Sequence, residues 1–340
     1  MTSSSPMPRP EVSVLLPTRN NASTLADAAG DILADAGVDL ELVVIDDGSV
    51  DETPEVLSAL AADPRVQRIR TEGEGIVAAL NRGLAAARAP LIARMDGDDR
   101  SHAGRLAAQR DFLALRPDVQ LVGTRVLAEP VEALGDGMKR YVSWQNALLT
   151  PEDHHREIFI ESPLCHPSVM FRREVIDVVG PYREVAWPED YDLWLRMDAA
   201  GMRLAKLDRV LFSWRHRPGR LTFTHPRYAR ERITAAKGAF LAARVRAMGR
   251  PLAVWGAGPT GRRLARAMEP EGVRAAVFVD IDPLKIGRVV RGARVVSPDA
   301  LSPDAFAVVA AVGAEGARGL IRAALCAMGF VEGEDFVVAA

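Results

Sequence analysis

The stretch Met95-Asp96-Gly97-Asp98-Asp99 crowds three carboxylates into one loop at the end of an apolar run, Leu91-Ile92-Ala93. Like charges this close cannot all stay ionised without something positive among them, so either a metal sits there or the loop is fully solvated. Hard carboxylate oxygens suit Mg2+ or Mn2+, ions that usually hold substrate phosphates rather than fill closed protein cages. Gly97 lets the backbone turn tightly and approach a ligand. The alternative is an exposed acidic turn that caps the next helix, with Asp99 or Ser101 as N-cap. Asp-Gly-Asp is a common turn composition, and the stretch alone leaves both readings open.

Elements that would position such a loop precede it in regular alternation. Val12 to Leu16 reads as a buried strand, followed by a polar turn at Thr18, Arg19 and Asn20 and an Ala-rich helix from Asn21 to Ala36. Leu40 to Ile45 is a second strand, ended by Asp46-Asp47-Gly48-Ser49, and Val66 to Arg70 a third, ended by Gly73 and Gly75. The run into the acidic loop is the fourth. Strands alternating with helices predict an α/β fold with a mostly parallel sheet, whose ligands bind beyond the carboxyl ends of the strands. Thr18 and Arg19, Asp46 and Asp47, Gly73 and Gly75, and Asp96 and Asp98 all fall at such ends, which favours a site over a bare turn.

Several ordered blocks resemble family 2 glycosyltransferases, which have the GT-A fold. They are Val-Ser-Val-Leu-Leu-Pro-Thr-Arg-Asn, Val-Val-Ile-Asp-Asp-Gly-Ser-Val-Asp-Glu-Thr, Ala-Arg-Met-Asp-Gly-Asp-Asp, Arg105 to Gln109, Val122-Gly123-Thr124, His166 to Arg172, Gly180 to Arg183 and Trp187 to Arg196. The resemblance covers roughly residues 11 to 220. It implies transfer of a sugar, with inversion, from a nucleoside-diphosphate sugar of UDP or dTDP type to a hydroxyl of a glycan or lipid-linked acceptor, in glycan or polysaccharide biosynthesis. Position by position, it puts the nucleotide against Thr18, Arg19, Asp46 and Asp47. Asp96 would face the ribose and the metal, Asp98 would ligate Mn2+ or Mg2+, and Asp99 would only cap a helix. The resemblance makes Asp190 the catalytic base, with Glu189 as fallback, although acidic residues at a helix start are favoured by its dipole whatever they do. His216 becomes a candidate second metal ligand, against the reading of a structural or solvated histidine. His166 would line the acceptor side or anchor a loop. In one place the chain departs from the family: Thr71-Glu72-Gly73-Glu74-Gly75 stands where relatives commonly have an asparagine.

From Arg203 to Arg250 basic residues crowd together, among them Arg215, Arg217, Arg220, Arg227, Arg230 and Lys237, against only Asp208 and Glu231. Such a run is most often one solvated helix face, and it could also sit against an anionic membrane. Leu211 to Trp214 reads as an edge strand. After Gly249-Arg250-Pro251 the alternation restarts with Leu252 to Trp255, the loop Gly256-Ala257-Gly258-Pro259-Thr260-Gly261, and a strand ended by Asp280. Gly256, Gly258, Gly261 and Asp280 are spaced as in a dinucleotide-binding unit. These blocks look similar to small Rossmann modules attached to sugar-modifying enzymes, in which the fold is better established than a cofactor. The cofactor of this unit is unknown, and the chain has no Ser, Tyr and Lys set for hydride transfer.

The expected organisation is a disordered tail over 1–10, a GT-A domain over 11–225, a basic helical linker over 226–250 and a small Rossmann-like domain over 251–340. With 340 residues, 48% hydrophobic and a net charge of -2, the chain suits two globular domains and not a nucleic-acid protein with a global basic footprint. Cys165 and Cys326 are too few for a disulfide scaffold or zinc cluster and read as buried free thiols of a reducing cytoplasm. No apolar run is long enough to span a membrane, and an oligomer is compatible with the composition. The rival readings are a non-catalytic sugar-nucleotide-binding or regulatory protein and, more weakly, a nucleotide-cofactor enzyme acting through the last domain. The set Asp98, Asp190 and His216 speaks against an idle site.

Overall fold

A computed structural model describes residues 9–217 and 219–340, so residues 1–8 of the expected tail lie outside the described residues. Within it Arg9 donates from Nε to the Arg88 carbonyl, and Pro10 is buried. The chain divides into two compact units. One comprises residues up to Pro151 with Leu164–Glu184 and Arg196–Arg220, and the other Glu152–Pro163, Val185–Leu195 and Leu221–Ala340.

The first unit is built on β1 (Val12–Thr18), β2 (Leu40–Asp47), β3 (Val66–Thr71), β4 (Leu91–Arg94), β5 (Arg100–Ser101), β6 (Leu121–Glu129), β7 (Met170–Arg172) and β8 (Leu204–Arg215). Among the described residues they form one eight-stranded sheet in the order β3-β2-β1-β4-β7-β6-β8-β5. The β3 to β4 half is parallel, and β7 enters antiparallel to both β4 and β6. Every residue of β1 and β2 is buried, as expected of strands covered on both faces by crossover helices. One of those helices, Ile76–Ala86, sits so close to the sheet that a Cβ on Gly83 would lie 2.8 Å from the Ile45 side chain. The register pairs Thr18 with Asp46 and Leu15 with Arg94, which brings the carboxyl ends of β1, β2 and β4 together. Leu211 to Trp214 is not an edge: β8 is paired with β6 on one side and with the two-residue β5 on the other. The alternating apolar pattern shows burial but not what covers the second side.

Lys206 of β8 is buried, and its Nζ donates to the Gln145 carbonyl. Burial lowers its ammonium to about 7. Between about pH 7 and the ordinary lysine range, the unfolded chain therefore holds a proton that the folded chain has lost. Stability contributed here rises with pH across that window and falls away as pH drops back through it. Lys206→Met should remove a slope of roughly 1 kcal/mol per pH unit from urea unfolding free energies measured between pH 7 and 10.

The second unit carries β9 (Leu252–Trp255), β10 (Ala275–Val279), β11 (Val289–Val290), β12 (Ala293–Val296), β13 (Ala307–Ala310) and β14 (Phe336–Val338), in the order β11-β12-β10-β9-β13-β14. All neighbours are parallel except the short β11 against β12. The segment expected as a linker supplies the helix Arg230–Ala247, which buries Ala236, Gly238, Leu241, Ala242 and Val245. It crosses the helix Pro259–Met268 closely, since a Cβ on Gly238 would come within 2.5 Å of Ala267. Lys237 of this helix donates to the Ile160 carbonyl at 2.5 Å, and Arg322 pairs with Glu157 at 2.7 Å, so residues from the middle of the chain fold with its last third. Cys165 is buried as expected, but Cys326 is exposed, on the solvent side of the helix Ala317–Ala327.

Candidate active site

The acidic loop leaves β4 after Arg94, whose side chain is 3% exposed and pairs with Asp96 at 2.8 Å. Carboxylate oxygens of Asp96, Asp98 and Asp99 lie within 4.8 Å of one another. Three arginines meet these carboxylates. Besides Arg94, Arg217 reaches Asp98 at 2.8 Å, and Arg220 reaches Asp99 at 2.9 Å and Asp96 at 3.4 Å. The choice between a metal and full solvation was therefore incomplete, because guanidinium groups from beyond β8 already supply positive charge.

Asp99 is fully buried and caps no helix, which corrects the sequence reading. The following helix, Arg105–Leu115, starts after Gly104 with no side-chain cap, while Asp99 accepts from the Arg215 amide at 2.8 Å and from Arg220. Burial raises the Asp99 carboxyl above the usual carboxylate range, and Arg220 offsets part of that. Burial also works against the charge on Arg220, but Asp99, Asp98 and Asp96 outweigh it and hold the guanidinium charged. Arg215, Arg217 and Arg220 thus belong to the end of β8 and the turn after it, not to a solvated helix face.

Gly97 is required for closeness rather than for an unusual φ, as it is not among the residues of positive φ. A Cβ there would meet Thr18 Oγ1 at 2.8 Å and Asn21 Nδ2 at 3.3 Å. Its carbonyl accepts from Thr24 Oγ1 at 2.8 Å. Beneath the loop, the fully buried Arg105 donates to the carbonyls of Arg94 and Pro167 and to Ser101 Oγ, fixing the base of the turn. Gln109 ties the carbonyls of Val122 and Ser168 together at 2.9 Å each. Blocks far apart in sequence thus meet through two buried polar side chains.

At the ends of β1 and β2, Asp46 accepts from the Ser49 amide at 2.9 Å and from Arg70 at 2.5 Å. Asp47 accepts from Thr71 Oγ1 at 2.6 Å and from the Gly75 amide at 3.0 Å, and Arg19 stands 4.0 Å away. The loop that departs from the family pattern therefore holds Asp47 with one hydroxyl and one backbone amide. Asn20 adopts a φ of 53°, a conformation asparagine tolerates, and its amide donates to Ser49 Oγ. Asn21 donates to Thr18 Oγ1 at 3.1 Å and accepts from Arg217 at 3.1 Å. Asn21, Arg94, Arg217 and Arg220 were missed in the sequence. The available signal was the run Arg215, Arg217 and Arg220 directly after the strand-like Leu211 to Trp214.

His216 is not among the clustered ligand atoms, and its amide donates to the Glu129 carbonyl at 2.6 Å. His166 is buried, with Nε2 2.8 Å from the Tyr182 hydroxyl. Burial, aided by Arg94, drives its imidazole well below the ordinary value and keeps it neutral. These contacts fit the loop-anchoring reading.

In the second unit, Glu189 and Asp190 open the helix Glu189–Ala199. Glu189 is buried and accepts from Arg227 at 3.1 Å and from the Tyr228 hydroxyl at 3.2 Å. Asp190 is partly exposed and accepts from the Tyr191 amide at 2.7 Å. Tyr191, Leu193, Trp194 and Met197 are core. Gly256 and Gly258 make the turn from β9 into the helix Pro259–Met268, Gly261 lies in the first turn of that helix, and Asp280 follows β10.

The chain matches Glycosyl transferase family 2 over residues 13–180. EpsE of Bacillus subtilis (strain 168) is 32% identical over 213 residues, which make up 61% of this chain and 73% of EpsE. An Escherichia coli UDP-Gal:alpha-D-GlcNAc-diphosphoundecaprenol beta-1,3-galactosyltransferase is 28% identical over 212 residues, 61% of this chain and 74% of that protein. S. aureus TarS 1-349, solved in complex with UDP-GlcNAc, superposes with a TM-score of 0.57 at 15% identity, over 76% of this chain and 71% of TarS 1-349. That likeness carries the GT-A fold. With the family match, and with EpsE covered across 73% of its length, the chain belongs to the family 2 glycosyltransferases.

Proposed function

We propose that the protein is an inverting glycosyltransferase that moves a sugar from a UDP-type or dTDP-type donor to a hydroxyl of a lipid-linked or other glycan acceptor. The observation that best supports this reading is the meeting of Asp46, Asp47, Asp96 and Asp98 at the carboxyl ends of adjacent parallel strands. The Escherichia coli relative is named for a UDP-sugar and a diphosphoundecaprenol-linked acceptor, and TarS was crystallised with UDP-GlcNAc.

The donor set suits a divalent cation. Asp98 is covered by Arg217, whose side chain is 37% exposed and free to yield, while the oxygens of Asp99 are committed to Arg220 and the Arg215 amide. Asp98 and Asp96 would hold Mn2+ or Mg2+, which supplies Lewis-acid stabilisation of charge on the departing diphosphate. Thr71 and the Gly75 amide fix the Asp47 carboxylate as an acceptor for an N–H of the base, with Arg19 beside it. Asp190 takes the proton of the acceptor hydroxyl as its oxygen attacks the anomeric carbon. Glu189, already shared between Arg227 and Tyr228, holds the start of that helix.

A thermal-shift panel of nucleoside diphosphates and nucleotide sugars, with and without Mn2+, tests the reading. Stabilisation by a uridine or thymidine member that requires Mn2+ and disappears in Asp98→Asn is expected. A protein indifferent to the whole panel in the presence of Mn2+ would lose this assignment. Among the described residues no helix is long and apolar enough to cross a membrane.

A further inference from the structure

The second unit contains a cavity of about 640 Å3 at the carboxyl ends of its parallel strands, bordered by Trp255 of β9, Gly258, Asp280 and Lys285. The volume lies within the roughly 300–1,000 Å3 of small-molecule sites. β9 is flanked by β10 and β13, both parallel to it, so the chain leaves β9 on one side and returns on the other. That reversal opens a crevice at the strand ends.

The three glycines divide their work. Gly256 has a φ of 128°, and a Cβ on it would lie 2.6 Å from the Ala311 carbonyl oxygen. A Cβ on Gly261 would be 1.9 Å from the Gly256 carbonyl oxygen, so the helix Pro259–Met268 packs directly on the turn. Gly258 is neither strained nor crowded: a Cβ there meets nothing within 4 Å, and the residue borders the cavity. Its bare backbone leaves room for a group to approach the turn. Asp280 closes the other side, accepting from the Ala257 amide at 3.2 Å and from Lys285 at 3.0 Å. Burial opposes its charge, but the Asp282 amide and Lys285 prevail and hold the carboxyl below the usual range, an ionised acceptor. Ile281 and Leu320, each 75% exposed although large and apolar, edge the same cavity.

We propose that this cavity is a second nucleotide site, independent of the donor site, taking a ligand with a ribose diol and a 5′-diphosphate. Asp280 accepts from the diol, the turn at Gly258 receives the phosphates, and Ile281 and Leu320 cover the base. A dinucleotide and a nucleotide sugar share this chemistry, and the titration separates them.

The test is calorimetric titration of the full chain with ADP, UDP and NAD+ in EDTA, which suppresses metal-dependent donor binding. At least one should bind, with affinity falling tenfold or more in Gly258→Leu and in Asp280→Asn and unchanged in Asp98→Asn. Gly258→Leu fills open space at an ordinary φ, so its thermal unfolding should match the wild type. NAD+ binding tighter than ADP assigns a dinucleotide, and UDP binding tightest assigns a nucleotide sugar. Absence of binding by all three, or affinities unaltered by both substitutions in the second unit, would overturn the proposal. Neither result touches Mn2+-dependent donor binding, whose loss in Asp98→Asn reads the first site alone.

Discussion

Asp190→Asn should lower kcat by about 10²–10⁴-fold with donor affinity retained, because the amide cannot accept the proton of the attacking hydroxyl. The neighbouring carboxylate provides the contrast. Glu189 is buried between Arg227 and Tyr228, and burial beside Glu189 keeps the Tyr228 phenol protonated and donating. Glu189→Gln would leave Arg227, only 10% exposed, facing a neutral amide, so its cost should appear mainly as lost stability. Steady-state kinetics and thermal unfolding of the two variants separate chemistry from scaffolding. A near wild-type kcat in Asp190→Asn would remove that carboxylate from the reaction.

Arg220→Met should destabilise the first unit by about 3–5 kcal/mol, the cost of leaving a buried charge without its partner. Asp99 is 0% and Arg220 10% exposed in the pair, so bulk solvent does not reach the carboxylate to replace the guanidinium. The double variant Arg220→Met/Asp99→Leu should recover much of the loss, since removing both charges also removes their desolvation cost. Arg217→Met, which removes a guanidinium 37% exposed to solvent, should cost about 1 kcal/mol or less. Urea unfolding of the wild type, these three variants and Asp99→Leu alone decides it, and additive losses in the double variant would show that the pair is not the source.

Much of the first sheet can be read directly from sequence, because its strands are short apolar runs ended by polar turns, and the order of those runs carries the α/β topology. The clustering of Asp46, Asp47, Asp96 and Asp98 follows from that order alone. The counter-charges are a different matter. Arg220 lies 121 residues from Asp99 in sequence, and no periodicity links a strand-end carboxylate to an arginine in a later turn. A basic run looks like a solvated face until the fold shows what it meets. Asp99 was misread for a related reason, since an aspartate shortly before a helix fits a cap locally. The grouping of residues 152–163 with the last third of the chain rests on contacts such as Arg318 with Glu157, 161 residues apart. Helix and strand patterns carry no record of such pairings.

Arg217 and Arg220 also differ in how fast each can let go. Arg217, with a side chain 37% exposed, can leave Asp98 by rotamer changes on the picosecond-to-nanosecond scale. Arg220, 10% exposed and bonded to Asp99 and the Arg215 carbonyl, can leave only when the turn after β8 opens locally, a far slower event. One carboxylate of the acidic loop is thus available on every encounter with a ligand, and another stays shut through many of them. Relaxation of the two guanidinium groups, followed by nitrogen-detected NMR, should show a mobile and an immobile arginine only a few residues apart.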